Sequence, residues 1–368
     1  MRRPALTMPP LRTAKVKQVS AKKPRQTMRD HTQDVAVNVH LANGRRIIPR
    51  QTIRGANGIT GVMHLPDRRQ IITCSSDGSL QLWEIESGKQ IGDDWRDDGD
   101  HAAVRTIALS PNGKTVASGS KDGKVRLWDV ETKKVVAKWT GRTYGVGSLC
   151  WSVDGERVVS GSDDGTITVW DVERGDTVLG PIKTGHHLVL AVIYSPDTTK
   201  IATGGYDEYV FKIWDAKTGN LLSTIKHAPE IWSLAWTSDQ KKFFTGSLRS
   251  IRIFDTATWQ EIAILEGHTD TVYSLSLFQN DRLLASGSRD ETARLWNLDT
   301  NLPVGPPLQH RNAVESAAIS ADGKLLVTEC RDKNAYVWDI HTILKDAGLE
   351  DLLSIPDVSV NGLTILSR

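Results

Sequence analysis

The stretch ASGSKDGKVRLWDV at residues 117–130 returns 168 residues later as ASGSRDETARLWNL at 285–298. Its closing hexapeptide recurs along the whole chain. The copies are SLQLWE (79–84), KVRLWD (124–129), TITVWD (166–171), VFKIWD (210–215), SIRIFD (250–255), TARLWN (292–297) and NAYVWD (334–339). The aromatic falls at Trp83, Trp128, Trp170, Trp214, Phe254, Trp296 and Trp338, in steps of 45, 42, 44, 40, 42 and 42 residues. A fixed period of that length marks an array of one supersecondary unit, repeated seven times.

Each unit reads as short strands. In the second, VRTIALS (104–110) alternates, PNGK turns the chain, TVASGS follows, KDG turns it again and KVRLWDV closes. Asp-Gly pairs at 122–123, 154–155, 164–165 and 322–323 are short-hairpin chemistry. The polar segment after each Trp-Asp reads as a fourth strand. Pro181, Pro303, Pro306 and Pro307 fall there, and a strand that tolerates proline is an outer edge strand.

Composition sets the remaining bounds. The 368 residues are 39% hydrophobic and 24% charged, ordinary for a globular chain. No apolar run approaches the ~18 residues of a membrane-spanning helix, and the N-terminus lacks the apolar core of a secretory signal. Cys74, Cys150 and Cys330 are far apart and form no CxxC pair, which fits a reducing compartment, cytoplasmic or nuclear. Residues 1–29 hold nine Lys/Arg and no acid. Removing those nine from 46 leaves 37 basic residues against 44 acidic ones, a balance of −7. The net +2 therefore divides into a basic, proline-broken tail, expected to be disordered over 1–40, and a mildly acidic body. The tail is a candidate targeting or nucleic-acid-binding segment.

The recurring Gly-His…Trp-Asp pattern, clearest as Gly267-His268…Trp296-Asn297 and Gly185-His186…Trp214-Asp215, resembles the WD-repeat (WD40) family. The resemblance implies an all-β, seven-bladed propeller over residues 41–340, with four antiparallel strands per blade. The expected ring is completed from upstream: RIIPRQTIR (46–54) supplies the outer strand of the last blade, and Pro49 suits that edge. Residues 341–368 form a C-terminal extension, helical in part from the spacing of Ile343, Leu344, Ala347 and Leu349.

His268, Ser286 and Asp290 are the residue types of a nucleophilic triad. Similar sets recur as His101, Ser118 and Asp122, as His186, Thr203 and Asp207, and as His310, Thr328 and Asp332. An active site is built once, so recurrence favours a structural role. The resemblance implies a hydrogen-bonded tetrad completed by Trp128, Trp214, Trp296 and Trp338. Repeat 5, FFTGSLRSIRIFD, lacks the turn Asp and carries Phe254, so its blade is expected to be the least tied down. DDWRDDGD (93–100) lacks the alternation of a calcium loop and reads as a solvated acidic loop.

No Gly-rich phosphate loop, HExxH, paired-Cys zinc site or unique nucleophile is present. No catalytic residue, metal or cofactor is therefore expected. The family resemblance implies docking on the top face. It assigns Arg105, Lys121, Leu188, Leu190, Tyr206, Trp232, Tyr273, Arg289 and Arg331 there. The expected role is a non-enzymatic scaffold or adaptor, a monomeric propeller within a larger complex, binding a partner protein or peptide with an acidic or phosphorylated stretch. Two rival readings are an enzyme using the channel and nucleic-acid binding through the tail.

Overall fold

The computed structural model describes residues 47–55, 58–67, 69–97, 101–140, 144–206, 209–227 and 230–354. The basic tail at 1–40 lies outside the described residues. Among the described residues no helix is long and apolar enough to cross a membrane.

Among the described residues six antiparallel sheets follow one another in chain order, the seven-stranded one spanning blades 5 and 6. Blade 2 shows the unit: Val104–Leu109, Thr115–Ser120, Val125–Asp129 and Val135–Trp139, paired in sequence. Blades 3 and 4 repeat it. The outer strand of blade 5 and the inner strand of blade 6 are one continuous strand, Glu261–Leu277, which joins those two blades. The inner strands stand against one another in order. The inner strand of blade 7 (Val314–Ile319) also contacts that of blade 1 (Ile59–His64). Hydroxyl groups fasten this inner edge from blade to blade. The Ser148 hydroxyl accepts the Val192 N–H at 3.0 Å, and Ser274 accepts the Ala317 N–H at 3.1 Å.

Gln51–Arg54 pairs antiparallel with Asn334–Asp339, in the register Gln51↔Val337 to Arg54↔Asn334. The segment before the first repeat thus supplies the fourth strand of the last sheet. Blade 1 departs from the four-strand pattern. Its sheet has three strands, and two isolated bridges, Leu80↔Trp95 and Trp83↔Gln90, stand in place of the fourth. The acidic run explains the departure. Trp95 is buried, and Asp94 accepts hydrogen bonds from Gln81, Gln90 and Arg96. Asp97 pairs with Arg126 and Lys138. Over 94–97 this run is therefore bound into the domain, not a solvated loop.

The blade faces are apolar on both sides because each blade covers the next. Ile59, Val62, Ile71 and Trp83 of blade 1 share one core cluster with Val327, Ala335 and Val337 of blade 7 and with Ile53 of the added strand. After the last tryptophan, α1 (Ile340–Asp346) is capped by Asp339, whose side chain accepts the Thr342 N–H. Ile340, Ile343, Leu344 and Leu352 bury against blades 6 and 7.

Ile53 is fully buried in the added strand and Arg54 beside it is exposed. Ile53→Ala is expected to lower the unfolding free energy by about 2–5 kcal/mol, and Arg54→Ala to change it by less than about 0.5 kcal/mol. Urea denaturation checks the pair. Equal midpoints would show that this strand adds nothing to blade 7.

Candidate functional site

Six blades share one buried bond. The indole N–H of the third-strand tryptophan donates to a hydroxyl on the second strand. The pairs are Trp83–Thr73 (2.8 Å), Trp128–Ser118 (2.8 Å), Trp170–Ser160 (2.9 Å), Trp214–Thr203 (3.0 Å), Trp296–Ser286 (2.9 Å) and Trp338–Thr328 (2.9 Å). In blade 6 the chain of bonds is complete. His268 Nδ1 lies 2.8 Å from Asp290 Oδ2, and its Nε2 lies 2.7 Å from Ser286 Oγ. A carboxylate only accepts, so Nδ1–H donates to Asp290 and Nε2 accepts the Ser286 hydroxyl proton. Ser286 is fully buried, which leaves its oxygen no access to solvent. Burial pushes the His268 pKa down, so the ring stays neutral although Asp290 opposes the shift. Burial pushes the Asp290 carboxyl up. The bonds from His268, Thr292 and the Thr269 N–H outweigh that and hold it well below the usual range.

The other expected tetrads are built differently. His101 is exposed, and in blade 2 Arg126 takes the role assigned to it. Arg126 is 3% exposed and donates to Ser120 (2.8 Å), Asp122 (2.9 Å) and Asp97 (2.8 Å). In blade 7 the His310 ring meets Thr328 at 2.7 Å, but its Nδ1–H donates to the Leu308 carbonyl at 3.0 Å. Asp332 instead accepts from the Tyr336 hydroxyl. In blade 4 His186, Thr203 and Trp214 are brought together, and Asp207 lies outside the described residues. Blade 1 holds Asp77 through Arg96 at 2.7 Å. Blade 5 has no indole at this point; His227 meets Thr245 at 2.6 Å. Phe211 packs there with Phe243 and Phe254, ring centroids 4.9 and 5.0 Å apart.

Fastened blades leave their connecting turns free to vary. The turns between second and third strands gather on one face, here the upper face. Beneath them lies a channel cavity of about 330 Å³, lined by inner strands of all seven blades. Of the residues expected on this face, Tyr206 (44% exposed), Lys121, Arg105, Arg289 and Arg331 are exposed. Leu188 is half-buried, and half-buried Leu190, Trp232 and Tyr273 reach the cavity wall. Trp232 meets Tyr273 edge to face at 4.9 Å, and the Arg331 guanidinium lies 5.6 Å from the Tyr273 ring centroid. Tyr273 is therefore enclosed between a tryptophan and an arginine, and it supports Arg331 from below.

The basic groups are not equally available. Arg331 pairs with Glu315 and Arg105 with Asp163, each at 2.5 Å. Arg289 approaches Asp270 only to 3.8 Å, and its side chain is 58% exposed. Three residues on this face escaped the sequence reading. The shortened hairpin of blade 5 looked like a lost position. Instead the Ser247 N–H donates to the Ser250 carbonyl at 3.1 Å, which turns the chain through Leu248 and Arg249. Leu248 is 42% exposed, and exposed Arg249 has a φ of 65°. The Ser-Leu-Arg-Ser spacing was the available signal. Tyr209, 61% exposed on blade 4, was also missed.

Blade 2 separates the two assignments of its buried donor. Arg126→Ala is expected to cost about 1–3 kcal/mol by orphaning Ser120 and Asp122, while His101→Ala is expected to be silent within about 0.5 kcal/mol. Chemical denaturation reads both, and the reverse order would restore His101. Acid is a second probe. Burial pushes the His310 pKa down to about 4, below its unfolded value near 6.5. The unfolded chain takes up that proton first. Stability is therefore full above about pH 6.5 and falls as pH drops toward about 4. His310→Gln is expected to flatten part of that slope, and an unchanged slope would show that His310 does not contribute.

Comparison with known proteins follows the same seven-fold division. The family described as WD domain, G-beta repeat matches residues 47–84, 98–129, 133–171, 179–215, 219–255, 259–297 and 306–339. The Target of rapamycin complex subunit LST8 of Saccharomyces cerevisiae is 30% identical over 124 residues, 30% of this chain and 41% of that protein. The APC/C activator protein CDH1 of Saccharomyces cerevisiae is 30% identical over 115 residues, 30% of this chain and 20% of that protein. The Serine-threonine kinase receptor-associated protein of Gallus gallus is 32% identical over 110 residues, 29% of this chain and 31% of that protein. The chain spans about two fifths or less of these relatives. Seven matched repeats on six tryptophan–hydroxyl bonds make the chain a member of the WD-repeat family.

Proposed function

We propose that the chain is a non-enzymatic adaptor whose upper face, over blades 5 to 7, binds an acidic or phosphorylated segment of a partner protein. The observation that carries this is the placing of Arg249, Arg289 and Arg331 on the turns of three successive blades, all exposed. Arg249 has no ion-pair partner among the described residues. Guanidinium groups suit carboxylate and phosphate because their planar fork makes paired, charge-assisted bonds. Arg331 is held in place by Glu315 and the Tyr273 ring, which reduces the entropy lost on binding. The apolar part of the reading shifts with the structure. Leu248 and Tyr206, on the turns of blades 5 and 4, are exposed and suit an apolar anchor, whereas Trp232 and Tyr273 pack on each other.

The cavity wall favours binding over chemistry. It is lined by aliphatic, aromatic and hydroxyl groups together with Arg105 and Glu315. No nucleophile paired with a general base occurs among its described lining residues. Partners within a complex accord with relatives whose names place them in a rapamycin-target complex and as an activator of the APC/C. Three free cysteines accord with a cytoplasmic or nuclear site of action.

Exposed arginines contribute little to stability, so Arg249→Ala/Arg289→Ala is expected to fold with an unchanged thermal midpoint. Its partners, captured and quantified by mass spectrometry across a salt series, are expected to bind roughly tenfold more weakly at low salt through slower association. Leu248→Asp is expected mainly to speed dissociation. Equal recovery by wild type and the double-arginine variant at every salt concentration would move the binding site elsewhere.

A further inference from the structure

Most seams between blades share a packing rule, from which blade 1, with Cys74 paired to Gly61, and blade 7 depart. The residue after the second-strand hydroxyl pairs with an inner-strand residue just past a bulge: Gly119↔Thr106, Gly161↔Ser148, Gly204↔Ala191 and Gly287↔Ser274. Glycine is required there. A Cβ would come within 2.5 Å of Val146, 2.6 Å of Val189, 2.5 Å of Ile231 and 2.8 Å of Val314, each on the following blade. In blade 7 the same position, paired with Ser316, is Glu329.

Glu329 is fully buried, and neither carboxyl oxygen has a hydrogen-bond partner among the described residues. Its strand pairs regularly with Asn334–Asp339, so alternate residues share a face. Val327, two residues earlier, packs on Ile59, Val62 and Ile71 of blade 1. Glu329 thus faces the seam where the last blade meets the first. An unpaired carboxylate in such a place is costly, and a neutral acid is far less so.

We propose that Glu329 makes the seam between blades 7 and 1 a pH-operated joint, seated as the neutral acid and loosened when the carboxyl group ionises. The groups around it favour the neutral form. Burial is the main cause that raises its pKa well above the ordinary value. Glu315 on the inner strand and Asp332 on the turn add to it, and Arg331 on the same turn opposes it. Cys74 of blade 1 packs in the core shared with blade 2, and its thiol is pushed up chiefly by burial and further by Glu329. On the third strand the paired residue is Ala335, which brings no charge. The folded acid keeps its proton to higher pH than the unfolded one. The seam is therefore strongest below about pH 4 and weakens as pH rises toward the folded pKa, by up to about tenfold in the opening equilibrium per pH unit. The joint lies beside Arg331 and Glu315, so its state also bears on the upper face.

Hydrogen exchange on the full chain between about pH 6.5 and about pH 9 tests the joint, with rates corrected for intrinsic exchange. Segments 59–64 and 325–330 are read against 157–162 and 188–194 at the glycine seam between blades 3 and 4. In wild type the first pair is expected to lose protection with rising pH and the second to keep it. Glu329→Gln, which keeps the shape and removes the charge, is expected to abolish the difference. Glu329→Gly installs the residue of the glycine seams and is expected to do the same if the glutamine variant folds poorly. Uniform protection at both seams of the wild type across this range would overturn the proposal. So would a pH response that survives both substitutions.

Discussion

A single hydrogen bond, indole N–H to buried hydroxyl, sets the terms for the rest of this molecule. It ties the third strand of a blade to its second at a point that water does not reach. The bond is worth only about 1 kcal/mol net, but leaving either partner unpaired costs about 1–3 kcal/mol. Six copies, at 2.8 to 3.0 Å, therefore hold six blades to one strand spacing. That spacing lets neighbouring blades close on each other through glycine, valine and isoleucine. What the hydroxyl bonds to on its other side is less constrained. Histidine serves in blades 4, 6 and 7. The turn aspartate is satisfied by His268, Arg126, Tyr336 or Arg96, according to the blade.

This division accounts for what was legible in the sequence. The Trp-Asp period, the Asp-Gly turns and the strand upstream of the first repeat are local or periodic signals, and each reappears as a paired element. The donors to the aspartates were not legible from residue types. His101 stands at the right distance along the chain, but Arg126 reaches the same carboxylate from the third strand and is buried there. Sequence position does not reveal which of two donors arrives. The missing outer strand of blade 1 was hidden for a similar reason. DDWRDD looks solvated until Gln81, Gln90, Arg126 and Lys138 are seen to converge on its carboxylates.

The upper face was legible in outline. Lys121, Arg289 and Arg331 stand on turns and Arg105 on an inner strand, and the pairing of these groups was invisible in the sequence. Glu315 and Asp163 take up Arg331 and Arg105, while Arg289 keeps most of its surface. The two residues that the shortened hairpin lifts out, Leu248 and Arg249, were concealed by alignment to longer turns. A turn one residue shorter does not remove a side chain from the face; it changes which one is presented. The seam residue Glu329 lies on the second strand of blade 7, two residues before Arg331.

The central claim is that the turns of blades 5 to 7 carry the binding site. Hydroxyl-radical footprinting of the captured complex against the free chain measures this directly. Protection is expected at Leu248, Arg289 and Tyr206, with the outer strands as reactive as before. Protection confined to the outer strands or to the turns of the opposite face, with Leu248 and Arg289 fully reactive, would contradict the account.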